Sequence, residues 1–129
     1  VSIAYSSGTL NCFNLEKQTL TFSNLTEETT FSIAGEFYGN IVIDATDYKF
    51  ELELNGLNLI TDESTPISII SGDKVTLSSK KSTTNYINDL RSENVDASIY
   101  STCDLSIQGK GNLVIYILIL ILICWFEDR

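Results

Sequence analysis

The chain has 129 residues, 17 acidic and 8 basic, for a formal charge of −9. That length gives one domain with a real core, and the acidic balance excludes a phosphate backbone as partner, which needs clustered Lys and Arg. There is no histidine, so His-based triads, His general bases and His metal ligands are excluded as well.

Usage is β-like, rich in Thr, Ser, Ile, Leu and Asn with a single proline, Pro66, and no window keeps a helical period. The chain opens at Val1 without a basic-then-apolar leader, as expected of a mature form or an excised fragment. Cys12, Cys103 and Cys124 are odd in number and lack CxxC spacing, so they read as small hydrophobes rather than a disulfide framework or zinc site.

In chain order, apolar-polar-apolar triplets are separated by turns rich in Gly, Asp, Ser and Asn. "LELNGLNL" (52–59) places Asn55–Gly56 between two triplets, as a corner rather than a hairpin. "PISIISGDKVTL" (66–77) then repeats as "DASIYSTCDLSI" (96–107). Ile67, Ile69, Val75 and Leu77 fall 30 residues before Ala97, Ile99, Leu105 and Ile107, and Asn55 and Leu57 fall 30 before Asn85 and Ile87. One triplet buries one face of a very short strand, so a unit becomes stable only when stacked on a copy of itself. The expected fold is therefore all-β, a parallel β-helix of few coils, with an antiparallel sandwich as the alternative. Residues 67–69 should lie beneath 97–99, and 75–77 beneath 105–107. Leu52, Leu54, Leu57, Leu59, Ile67, Ile69, Val75, Leu77, Ile87, Ile99, Leu105 and Ile107 should face inward. Asn55 and Asn85 should form a side-chain ladder inside the corners, although two unrelated turn asparagines would give the same pattern.

The stretch "FSIAGEFYGNIVIDATDYKFELELNGLNLITDESTPISIISGDKVTLSSKKSTTNYINDL", followed by "DASIYSTCDLSIQGKGNLVI", resembles a family of bacterial carbohydrate-binding domain-containing proteins. The likeness runs from about Leu20 to Ile115. It implies an extracellular or cell-surface, right-handed parallel β-helix that binds cellulose or acidic plant polysaccharide, with calcium held by acidic and carbonyl oxygens. It also implies kinship in shape with pectate-lyase β-helices.

No catalytic constellation stands out. Aspartates recur at the turns, where Asp usually serves backbone hydrogen bonding. Asp89 and Asp96, with Glu93 and Asn94 in the loop between them, form the local cluster that best suits Ca²⁺. Tyr38, Tyr48, Tyr86 and Tyr100, with Phe37, are the aromatics near turns on which a sugar could stack, each also able to pack in the core. The function expected is a polysaccharide-binding module, possible calcium assistance included. The alternatives are a lyase-like enzyme drawing its base from Lys80, Lys81 or Arg91, and a structural or adhesive surface β-helix.

The pattern fails after "GNLVI". From Tyr116 the chain reads "YILILILICWFEDR" with no turn residue before Glu127. The thirteen apolar residues of 113–125 are too few to cross a bilayer. Residues 1–115 are thus expected to form the β-helix and 116–129 an atypical tail. Three readings of that tail are open: foreign sequence from a frame error or truncation, which is preferred; a closing strand; or a membrane-associated anchor. An uncovered apolar strand there would drive self-association.

Overall fold

A computed structural model describes residues 1–93 and 95–118. The fold is an all-β solenoid of about three turns. Twelve strands run β1 (Ser2–Ser7), β2 (Phe13–Glu16), β3 (Thr19–Phe22), β4 (Thr29–Tyr38), β5 (Asn40–Asp44), β6 (Lys49–Thr61), β7 (Ile67–Ser71), β8 (Lys74–Ser79), β9 (Thr84–Asp89), β10 (Ile99–Ser101), β11 (Asp104–Gly109) and β12 (Asn112–Ile117). Each rung contributes one strand to a first sheet, β3-β5-β7-β10, and a longer bent path to a second. In the second sheet the first halves of β4 and β6 stack with β8 and β11, and the second halves with β9 and β12. All pairings between rungs are parallel.

The two N-terminal strands differ. β1 lies antiparallel on β4, and β2 antiparallel on β3, so both sheets finish at that end in reversed strands. β1 and β2 are then the edge strands at that end, and β1 carries a register shift between Tyr5 and Ser7, an irregularity of the kind that discourages further edge pairing. Beneath them Phe31 meets Tyr5, Phe13 and Phe22 at 5.4–5.6 Å between ring centroids, and Phe22 meets Phe50 at 4.9 Å. These edge-on and tilted contacts suit the ring quadrupoles.

Alternation explains the core. Leu52, Leu54, Leu57, Leu59, Ile67, Ile69, Val75, Leu77 and Ile87 are fully buried, as their period-2 spacing predicts. Ile99 and Leu105 are only partly buried. Ile107 is 52% exposed, contrary to expectation. Its register is correct, with Leu77 as Cα partner, but it belongs to the last described rung.

The 30-residue repeat holds for one strand of three. Val75 and Leu77 pair with Leu105 and Ile107 as expected. Ile67 and Ile69 pair instead with Ile99 and Ser101, a separation of 32. Asn85 and Ile87 pair with Leu113 and Ile115, a separation of 28. The cause lies in the corners. The path β7-β8-β9 spends two residues more than β10-β11-β12 between its first and second strands, and two more again between its second and third. The loop preceding β10 is correspondingly longer. One rung earlier, Leu59 rather than Leu57 is the partner of Ile87.

Asn85 and Asn55 form no ladder. Asn85 is wholly buried, and its Oδ1 accepts the backbone N–H groups of Gly56 and Leu57, each at 2.8 Å. Its Nδ2 donates to Thr83 Oγ1 and the Asn112 carbonyl. The buried amide thus closes the Asn55–Gly56 corner through backbone, where Gly56 adopts φ +82°.

β12 continues through Tyr116 and Ile117, which pair with Asn88 and Asp89 beyond the boundary expected at Ile115. From residue 119 the tail, with Cys124, lies outside the described residues, and the closing-strand, anchor and self-association readings fall there too. Among the described residues no helix is long and apolar enough to cross a membrane. Cys12 is buried and Cys103 half-buried, both as free thiols. Burial pushes the Cys12 thiol up, against a smaller opposing effect of its backbone hydrogen bond.

Candidate functional site

On the second half of the long sheet, odd and even positions part cleanly. Phe37, Leu57, Leu59 and Ile87 go inward, leaving two outward rows. In-register pairing sets Glu36, Asn58, Tyr86 and Val114 in one row, and Tyr38, Ile60, Asn88 and Tyr116 in the other. Neighbours in a row stand about 4.8 Å apart, the inter-strand spacing. Tyr38 is 59% exposed, Tyr86 44% and Tyr116 39%, so all three rings are open to solvent on a rigid sheet.

Between the rings lies a polar pair. Asn88 Nδ2 donates to Asn58 Oδ1 at 2.8 Å and to the Leu59 carbonyl at 3.2 Å. Among the described residues Asn58 Nδ2 and Asn88 Oδ1 have no protein partner, which leaves one donor group and one acceptor toward solvent. Tyr38, Asn58, Ile60, Tyr86, Asn88, Leu90 and Tyr116 together line a groove of about 530 Å³. Tyr38, Ile60 and Leu90 also wall a polar cleft of about 650 Å³, completed by residues that include Lys17, Asn40 and the 61–64 loop.

The four tyrosines expected at the site do not converge as a set. Tyr38 and Tyr86 share the groove. Tyr48 lies between β5 and β6, its carbonyl accepting the Asp73 N–H. Tyr100 is on the outer side of the other sheet, beside Ser68. Phe37 is buried. Asn58, Ile60, Asn88, Leu90 and Tyr116 were not singled out by sequence. The usable signal was the alternation in "NYIND" and "LVIYI", which places every second residue outward.

Asp89 and Asp96 are also separated in role. Asp89 is fully buried, facing inward at the end of β9, while Asp96 is exposed. The Arg91 guanidinium grips Asp89 in a bidentate pair, Nε to Oδ1 at 2.9 Å and NH2 to Oδ2 at 2.7 Å. Arg91 N–H adds a bond to Oδ1, and Ser98 Oγ one to Oδ2. A carboxylate has about four acceptor positions, and these four bonds fill them. Burial alone would push the Asp89 carboxyl up. The hydrogen bonds from Arg91 and Ser98, with the adjacent positive charge, outweigh burial and hold it below the usual range. The same contact with Asp89 raises Arg91. In this arrangement Asp89 has no free oxygen position for Ca²⁺. Among the described residues no group of three or more carboxylate or thiol side chains is placed to hold a metal ion. The Asp89–Asp96 pair therefore does not fit a calcium site.

Of the basic residues considered for proton abstraction, Arg91 is committed to Asp89, while Lys80 and Lys81 lie in the exposed turn between β8 and β9.

The family model described as carbohydrate-binding domain-containing protein matches residues 17–117, from just before β3 to the end of β12. No curated protein and no solved structure matches the chain.

Proposed function

On the premise that the chain belongs to the carbohydrate-binding domain-containing protein family, we propose that it is a non-catalytic polysaccharide-binding module of the cell exterior. Its binding face is the groove carrying Tyr38, Tyr86 and Tyr116. One observation carries the assignment: three exposed aromatic rings flank a polar amide pair on a rigid, in-register sheet. A sugar ring has an apolar C–H face and an equatorial rim of hydroxyls. An aromatic ring covers the first, and Asn58 and Asn88 meet the second.

Charge favours an uncharged glycan. Among the described residues the groove holds no ionisable side chain other than its tyrosines, and in the adjoining cleft Lys17 is outnumbered by Asp62 and Glu63. An acidic chain would meet repulsion from a protein of net charge −9.

Affinity electrophoresis in gels containing hydroxyethylcellulose or polygalacturonate, with and without Ca²⁺, tests the reading. The neutral polymer should retard the protein irrespective of Ca²⁺, and Tyr38→Ala and Tyr86→Ala should each abolish most of that retardation. Tyr100→Ala, on the opposite sheet, should leave it unchanged. Equal loss in all three variants, or loss in none, would overturn the assignment of this face.

A further inference from the structure

Leu90 stands between the two members of the buried ion pair, and its side chain walls both the groove and the polar cleft. Its N–H donates to the Thr61 carbonyl at 2.8 Å. Beyond the bidentate grip on Asp89, Arg91 donates from NH1 to Thr65 Oγ1 at 3.2 Å and from NH2 to the Ala97 carbonyl at 2.9 Å. One guanidinium thus ties together the end of β9, the loop between β6 and β7, and the loop leading into β10. Thr61, Asp62, Glu63 and Ser64 of the second segment are themselves walls of the cleft.

The surroundings are acidic. Asp62, Glu63 and Glu93 line the small pocket beside Arg91, and Asp96 adds to the field that raises it. Asp89 lies on its other side. Among the described residues Arg91–Asp89 is the one ion pair. Arg91 is thus a buried cation set among loop carboxylates, and its hydrogen bonds to Thr65 and Ala97 join the loops that carry them. A buried pair of this kind adds little net stability over apolar residues of similar size, and in some proteins it serves to fix geometry.

We propose that Asp89 and Arg91 are positioning residues for glycan binding. Their ion pair sets Leu90 and the 61–65 loop as walls of the binding face without touching the sugar. The proposal rests on the reading of that face as the glycan site.

The full chain is compared with Arg91→Lys and with an Asp89→Leu, Arg91→Met double variant. Lysine keeps the charge but loses the planar fork, and the apolar pair is expected to keep the fold. Val75→Ala serves as control, since Val75 is buried in β8 and lines neither groove nor cleft. Amide hydrogen exchange should speed up at Leu90 and residues 61–65 in both ion-pair variants and not in the control. Hydroxyethylcellulose affinity should fall about tenfold in both as the walls of the binding face loosen, with the control unchanged. Unchanged exchange or unchanged affinity in Arg91→Lys overturns the positioning role, as does an equal effect in Val75→Ala. If Tyr38→Ala binds like the parent, the site reading fails and the positioning role falls with it. If Tyr38→Ala loses binding while Arg91→Lys keeps it, only the positioning role is lost.

Discussion

Replacing Asn85 by alanine removes an acceptor that serves two backbone donors at once. The Leu57 N–H is buried and has Asn85 Oδ1 as its partner at 2.8 Å. Leaving such a donor unpaired costs about 1–3 kcal/mol. The Gly56 N–H belongs to an exposed residue and can turn to water, so its share is nearer the net worth of an ordinary hydrogen bond, about 0.5–1.5 kcal/mol. Together the expected loss is about 2–4 kcal/mol, or roughly 8–16 °C in Tm for a domain of this size. Urea unfolding followed by far-UV circular dichroism measures it, with an unchanged slope confirming that the transition is still cooperative. Asn55→Ala is the matched comparison. Among the described residues the Asn55 side chain makes no hydrogen bond, so that variant should stay within about 0.5 kcal/mol of the parent. If Asn85→Ala falls in the same narrow range, or Asn55→Ala loses as much, the corner is not closed in the way described.

Gly109 has φ +107°, and a Cβ there would stand 2.3 Å from the Ser79 carbonyl oxygen; Gly109→Ala should therefore cost at least about 1–3 kcal/mol, read as a lowered urea midpoint. Leu77→Ala should cost about 2–5 kcal/mol, while Leu105→Ala, half-buried one rung further on, should cost clearly less in the same assay. Acid stability follows Asp89. Because its folded pKa lies below its unfolded value, the native state holds on to the charged form, and that stabilisation is complete above the unfolded pKa near 3.9. It should drain away as pH falls through the lowered folded value. Asp89→Asn should therefore flatten the acid limb of Tm against pH, and an unchanged limb would count against the ion pair.

Much of the fold was legible because period-2 burial is a local property. "FELEL" and "LNLI" announce which residues face the core without knowledge of the partner strand, and Leu52 to Leu59 are buried accordingly. Corner length is less legible. "SGDK" and "STCD" look equivalent, yet Lys74 follows Ile69 by five residues while Asp104 follows its partner Ser101 by three, and that difference of two shifts Ile67 onto Ile99. The site was half visible. Tyr38 and Tyr86 stand out as aromatics, but their convergence depends on separations of 22 and 28 residues in neighbouring rungs. A uniform repeat of 30 conceals both. Tyr116 was masked by its apolar neighbours, and Asp89 looked like a metal ligand because its pairing with Arg91 depends on how the chain bends after β9.

The unequal corners have a consequence for how this chain avoids folding wrongly. In a strictly periodic solenoid, sliding one strand stack by a whole rung restores every contact, so slipped and swapped states compete with the native one. Here the same slide would have to satisfy 32, 30 and 28 residues at once, and 26, 25 and 28 one rung earlier. No single displacement does so. A slipped chain gains one stack only by leaving another two or more residues out of register, or, where 25 stands against 26 and 28, by turning polar residues inward. The irregularity that obscures the repeat thus acts as a combination lock, giving a molecule made of near-identical parts one alignment and denying neighbouring chains a register in which to exchange rungs.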